Sequence, residues 1–264
     1  MASPRPHVGP RRSRRTMTPP RSRRTRVSTP PADAPPDSVS PDLVAIAPHQ
    51  DDEVLSMGPA ILEAVSAGMV VTVLLISRGE ASIVRSRDLP RKLGFVPSPH
   101  HFSALRDREF DGAVRAMGAT PVIPPYEERL ADSSATPEAV AALIRGHVAR
   151  GTTAWTISAY DGHPDHRACG RAVQALIVDG YLSQAAYFIS PERLDLIPGD
   201  VALDRVGAGT PITRKHQHPY RSRRLARNWW GSAGEVSGCP STTSCDVTRL
   251  PTVTADISEG WQGA

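Results

Sequence analysis

Two short stretches of this chain gather side chains that can do chemistry. The first is Pro48-His49-Gln50-Asp51-Asp52-Glu53 and the second is His163-Pro164-Asp165-His166. Zinc takes histidine nitrogen and carboxylate oxygen, and a catalytic zinc keeps one position open. The first stretch offers one histidine beside two carboxylates. The second offers two histidines, three residues apart, flanking a third carboxylate. Together they supply three ligands with groups to spare. Hydrolysis needs those spare groups: a base for the water and an acid near the developing oxyanion. Spacing alone does not choose between Asp51 and Asp52 as the ligand. The set His49, Asp51 and His166 also fits the two-histidine, one-carboxylate triad of non-haem iron oxygenases, which are generally all-β barrels. Each stretch alone also has a plainer reading. Carboxylates at a helix start are favoured by the helix dipole, and His-Pro-Asp-His suits a polar turn.

The surrounding pattern gives these stretches equivalent places. Leu43–Ala47 is a short apolar run that reads as a buried parallel strand. Residues 56–67 read as a helix stopped by Gly68, and Val70–Ile76 as a second buried strand, so the three make a βαβ unit. Residues 77–102 show no period and read as a long loop, of the kind that forms lids or binding segments. Residues 104–117 return to helical spacing, and Pro121–Ile123 reads as a short strand. Thr136-Pro137 is a good helix start for a segment running to about Ala149. Ala154–Ala159 reads as a strand, Arg167 to Asp179 as a helix and Ala185–Ile189 as a strand. Alternation of this kind predicts an α/β, Rossmann-like fold with a mainly parallel sheet and helices on both faces. Ligands in such sheets bind beyond the carboxyl ends of the strands. Both motifs follow a strand and open a helix, so they belong on one edge of the sheet, and that coincidence points to a joint metal site.

The bulk composition bounds the rest. At 264 residues and 39% hydrophobic, the chain can bury a core, and no run approaches the ~18 apolar residues of a membrane span. The net charge of +4 comes from one end. Residues 1–40 hold nine Arg, no Lys and two Asp, leaving 22 basic and 25 acidic residues over 41–264. With nine Pro and few large apolar residues, residues 1–40 are expected to be a disordered extension. Arginine clusters can touch nucleic acid, but no stacking aromatic is interleaved with these, so nucleic-acid binding is the minor reading. Arg11-Arg12-Ser13-Arg14-Arg15 is similar to a twin-arginine signal but lacks the apolar segment that must follow. Cys169, Cys239 and Cys245 are too few for a disulfide framework. A cytoplasmic protein with a small-molecule substrate and no membrane partner is expected; the oligomeric state is not readable. Residues 41–230 are expected to form the domain, and 231–264 a tail without amphipathic period. His100, His101, His216 and His218 read as surface residues.

The stretch Ala47-Pro48-His49-Gln50-Asp51-Asp52-Glu53 resembles the signature of the LmbE-like (PIG-L) N-deacetylases, and His163-Pro164-Asp165-His166 is similar to their second signature. Ser77-Arg78-Gly79-Glu80 and the helix from Arg106 to Glu109 resemble two further landmarks, in the right order. The resemblance spans about residues 42–190. It implies a Rossmann-like fold and zinc-dependent removal of an acyl group, usually acetyl, from an amino sugar or related amide. It implies His49, Asp52 and His166 as zinc ligands and Asp51 as general base. His163, held charged by Asp165, would be the acid that stabilises the oxyanion and protonates the amine. Gln50 stands where the family most often has Pro, a change expected to be harmless. Tyr160-Asp161-Gly162 is shorter than the loop of the mycothiol-pathway members, which argues against a mycothiol-type conjugate. Tyr220-Arg221-Ser222 faintly resembles a late family motif.

Overall fold

The run Leu43–Ala47 (β1) is buried along its whole length, as a strand covered on both faces must be. A computed structural model describes it together with the rest of residues 41–199, and with 201, 203–206, 212–213, 216 and 247–253. Strands β2 (Val71–Leu75), β3 (Thr120–Val122), β4 (Thr153–Ile157) and β5 (Gln184–Ile189) join β1 in a parallel sheet. Strands β6 (Asp204–Val206) and β7 (Val247–Val253) extend it antiparallel, giving the order β3-β2-β1-β4-β5-β7-β6. The order runs one way from β1 through β2 to β3 and the other way from β4 to β5. The crevice at this reversal, beyond the carboxyl ends of β1 and β4, is where such sheets bind ligands.

Alternate residues of β1, β2, β4 and β5 feed two cores. Leu43, Ala45 and Ala47 of β1 pack with helix α2 (Gly58–Ser66) and helix α4 (Pro99–Ala116) through Ile61, Phe110 and Val114. Val44 and Ile46 pack with α5 (Pro137–His147) and α6 (Pro164–Val178) through Val140, Ile144, Val173 and Leu176. Helices thus cover both faces, as expected. This layered sheet also removes the all-β barrel on which the iron-oxygenase reading depended.

The departures from the sequence reading have local causes. The helix expected at 56–67 comes as α1 (Asp52–Leu55) and α2, with Pro59 in the first turn of α2. Proline has no N–H to continue a ladder but suits a first turn. Residues 77–102 are not structureless. They hold a π-helical turn (Val84–Asp88), a short helix α3 (Leu89–Leu93) ended by Gly94 in the left-handed region, and the first turn of α4. Ser98 Oγ caps α4 by accepting from the His101 N–H. Charges and prolines hide this segment's periodicity. A strand at Val247–Val253 was also not foreseen. His216 is buried rather than on the surface, accepting from the Thr213 N–H, while His100 and His101 are exposed, as expected, and Cys169 lies in the core. Among the described residues no helix is long and apolar enough to cross a membrane. The extension at 1–40, Cys239, Cys245, His218 and Tyr220-Arg221-Ser222 lie outside the described residues.

Candidate active site

β1 ends at Ala47, and the chain turns through His49-Gln50-Asp51 before α1 takes up Asp52 and Glu53. Two acceptors shape this turn: Asp52 Oδ2 takes the His49 backbone N–H and a Glu53 carboxylate oxygen takes the Asp51 N–H, both at 3.0 Å. Asp51 sits at φ 149° and ψ −22°, a region L-residues rarely occupy, of the kind found at functional sites. After β4, His163 is the N-cap of α6, and Pro164, Asp165 and His166 are its first turn. The three-residue spacing of His163 and His166 thus puts both at one helix end, facing the β1 turn.

Three donor atoms converge. His49 Nδ1 lies 3.2 Å from Asp52 Oδ2 and 3.2 Å from His166 Nε2, and His166 Nε2 lies 3.2 Å from Asp52 Oδ2. A tetrahedral zinc with bonds of ~2.0–2.1 Å would hold its ligands about 3.3 Å apart. The far nitrogen of each imidazole meets a carboxylate. His49 Nε2 donates to Asp165 Oδ2 at 3.0 Å and lies 3.4 Å from Asp132 Oδ1; His166 Nδ1 donates to Asp161 Oδ1 at 2.9 Å. That outer shell is typical of metal-ligating histidines, because it fixes the tautomer and raises ligand basicity. Two other groupings could also hold an ion: His49, His163 and His166, or His49, Asp132 and Asp165. In the second, Asp165 is already committed to the Ser133 and Ala135 amides at 2.7 and 3.0 Å, which makes it an orienting group. The residues present therefore fit a zinc ion on His49, Asp52 and His166.

The electrostatics call for a cation. Burial pushes both metal-facing histidines toward neutrality, but their carboxylate partners prevail. His49 is raised well above its ordinary pKa by Asp132, Asp165 and Asp52, and His166 is raised to about 9 by Asp52 and Asp161. Burial would raise Asp52, yet His166 and His49 hold it far below the usual carboxylate range. The carboxylates around the two imidazoles thus favour positive charge at this point.

Asp51 is different. Burial raises its pKa, the Asp52 charge adds to this, and Arg106 and His49 oppose it. Its side chain still keeps 36% of its surface open, toward the pocket. Arg106 Nη2 donates to Asp51 Oδ2 at 3.0 Å and to the Gln50 carbonyl, while Nη1 is held by Glu109 Oε2 at 2.8 Å. A buried Arg-x-x-Glu pair on α4 thus aims the candidate base.

The side chains of His163 and Asp165 do not hydrogen-bond to each other. The Asp165 carboxylate is buried and engaged by His49 and two backbone amides. His163 Nδ1 instead accepts the Asp165 backbone N–H at 3.3 Å, the N-cap bond of α6. Burial, followed by the His49 and His166 charges, lowers the His163 pKa. With Nδ1 taken by that N–H, Nε2 is the ring nitrogen of His163 left for the cavity.

His49, Asp51, Asp52, His163 and His166 line one cavity of about 300 Å³, with Gln50, Gly79, Ala81, Ser82, Ile83, Arg106, Asp132 and Ser133. Asp165 is the expected site residue that does not line it. Four of the lining residues, Gly79, Ala81, Ser82 and Ile83, come from the segment after β2. Four contributors were not singled out from sequence as site groups: Asp132, Ser133, Asp161 and Arg106. Asp161 directly precedes the second motif and Arg106 belongs to a helix landmark, so both carried a signal. Asp132 and Ser133 lie in an ordinary polar loop. Gln50 is buried and hydrogen-bonded, not idle.

The family model described as GlcNAc-PI de-N-acetylase matches residues 44–177, just over half of the chain. Among solved structures of similar fold are the zinc-inhibited form of a teicoplanin deacetylase and a deacetylase of teicoplanin biosynthesis in complex with teicoplanin. Each is 18% identical and covers 82% of this chain and 99% of its own, at TM-scores of 0.55 and 0.52. An antimicrobial-reagent pseudoaglycone deacetylase is also 18% identical, covering 82% of this chain and 98% of its own at a TM-score of 0.51. No curated protein matches the sequence.

Proposed function

We propose that this chain, which belongs to the PIG-L family, is a zinc-dependent hydrolase that removes an N-acyl group, acetyl foremost, from an amino sugar or a sugar-bearing metabolite. The observation that carries this reading is the 3.2 Å triangle of His49 Nδ1, Asp52 Oδ2 and His166 Nε2 beside a pocket-facing Asp51. Zinc so held would supply a Lewis acid for the amide carbonyl and lower the pKa of water toward ~7.

The chain's own residues account for the proton traffic. Asp51, with a raised pKa, is a stronger base than a solvated aspartate and takes the proton of the attacking water. Arg106 holds its carboxylate in place. His163, with Nδ1 accepting the Asp165 N–H and its pKa lowered by burial, presents Nε2 as a hydrogen-bond donor to the oxyanion. A neutral imidazole is a poor proton source, so the proton on Asp51 is the one delivered to the departing amine. Removing a donor of the His163 kind typically costs about 10²–10³ in rate.

Acetate release from a panel of N-acetyl amino sugars and their glycosides tests the reading. Zinc-loaded wild-type protein should turn over at least one, and Asp51→Asn at equal zinc content should lose about 10²-fold or more. Full activity in Asp51→Asn, or no turnover of any N-acyl substrate by zinc-loaded protein, would overturn it.

A further inference from the structure

Gln50 lies between a metal-facing histidine and the candidate base, and its side chain leaves the metal altogether. Its carboxamide nitrogen donates to the Arg78 carbonyl at 3.1 Å and to Asp107 Oδ1 at 2.9 Å. The side chain is almost fully buried. It fills the space beside Gly79, where a Cβ would lie 2.2 Å from Gln50 Oε1, and Gly79 itself has φ +67°. Glycine at 79 is therefore demanded twice, by its backbone and by the carboxamide packed on it. Asp107 continues the tie. Both of its oxygens accept from Arg129, each at 2.7 Å, and Arg129 Nη1 also donates to the Ser77 carbonyl at 3.3 Å.

These bonds join three segments to the turn that carries His49: the end of β2, helix α4 and the loop between β3 and α5. The segment held by the Arg78 carbonyl goes on to Gly79, Ala81, Ser82 and Ile83, which form one wall of the cavity. The same wall is stitched to Asp132, whose carboxylate accepts the Ala81 N–H at 3.0 Å and lies beside His49 Nε2. Resting on the reading of this cavity as the substrate pocket, we infer that Gln50 is a positioning residue that fixes the Gly79–Ile83 wall relative to the metal-facing turn and so sets substrate fit. It touches neither the ion nor the reacting atoms. A side chain without an amide N–H makes neither bond, and Gln50→Glu would set a second carboxylate against Asp107.

The test compares wild-type and Gln50→Leu full-length protein by three readouts: backbone hydrogen exchange, zinc affinity by chelator competition, and steady-state acetate release. Exchange at Ala81–Ile83 should speed up about tenfold or more, with core strands β1 and β4 unchanged and zinc affinity within about twofold. On any substrate turned over, KM should rise several-fold with kcat nearly constant. Gln50→Glu should behave like Gln50→Leu. Gly79→Ala should lower Tm more in the presence of Gln50 than in a Gln50→Ala background, because the second removes the clash. Unchanged exchange at Ala81–Ile83, a uniform rise across β1 and β4, or equal Gly79→Ala effects in both backgrounds would overturn the inference. Exchange, zinc affinity and Tm need no turnover, so failure of the proposed activity is told apart from failure of this role.

Discussion

Behind each imidazole of the proposed zinc site stands a carboxylate: Asp165 and Asp132 behind His49, Asp161 behind His166. Such partners typically change metal affinity 10–100-fold. Asp165→Asn and Asp161→Asn should therefore each weaken zinc binding by about that factor in a chelator competition. For Asp165→Asn this outcome separates two roles. A residue serving His163 alone would leave zinc affinity at the wild-type value and alter the rate only. The proposed ligand residues were conspicuous in the sequence because histidine and aspartate at strand–helix turns carry chemistry that apolar neighbours do not. Their outer shell was not, since a lone aspartate such as Asp132 has no sequence signature until the fold brings it to 3.4 Å from His49 Nε2. The proximity of His163 and Asp165 in sequence was misleading. Neighbours in a helix's first turn point in different directions, so the carboxylate turned inward to His49 while its own N–H capped on His163.

Helix α6 carries half of the site, and its approach to the sheet is set by one residue. A Cβ on Gly170 would lie 2.3 Å from the Ala159 nitrogen and 2.9 Å from the Ile157 carbonyl oxygen, atoms of backbone that cannot swing aside. Gly170→Ala should force α6 away from β4, costing about 1–3 kcal/mol of stability in denaturant melts. Because His163 and His166 ride on the same helix, zinc affinity should fall with it. Strand β5 makes a separate prediction. Tyr187 is buried, and burial raises its pKa well above the ordinary tyrosine value. An acid whose folded pKa is raised stabilises fully below the unfolded value of ~10 and loses that contribution as pH rises from there through the raised folded value. Stability should thus fall above pH ~10 by up to about 1.4 kcal/mol per pH unit from this group, and Tyr187→Phe should flatten that limb of the Tm–pH curve. The elements themselves were legible where apolar period was strong, as in β1, β2, α6 and β5. Between β2 and α4 the helical turns rest on tertiary contacts such as Arg85 Nη1 donating to the Pro97 carbonyl, which leave no period to read.

At the scale of the molecule, one topological fact makes the site: the sheet order reverses between β1 and β4, and each of these strands delivers one motif to the crevice. That placement followed from the sequence, because both motifs sit at a strand end that opens a helix. The antiparallel pair β6 and β7 did not follow from it. Their partners are far apart in the chain, and β7 joins the sheet beside β5, 58 positions after Ile189 at its first residue. The central claim is that His49, Asp52 and His166 together hold one zinc. Anomalous diffraction at the zinc edge from zinc-loaded crystals addresses it directly. The account predicts a single strong peak within about 2.0–2.2 Å of His49 Nδ1, Asp52 Oδ2 and His166 Nε2. No peak there, or a peak on the other side of the ring against His49 Nε2, Asp132 and Asp165, would contradict it.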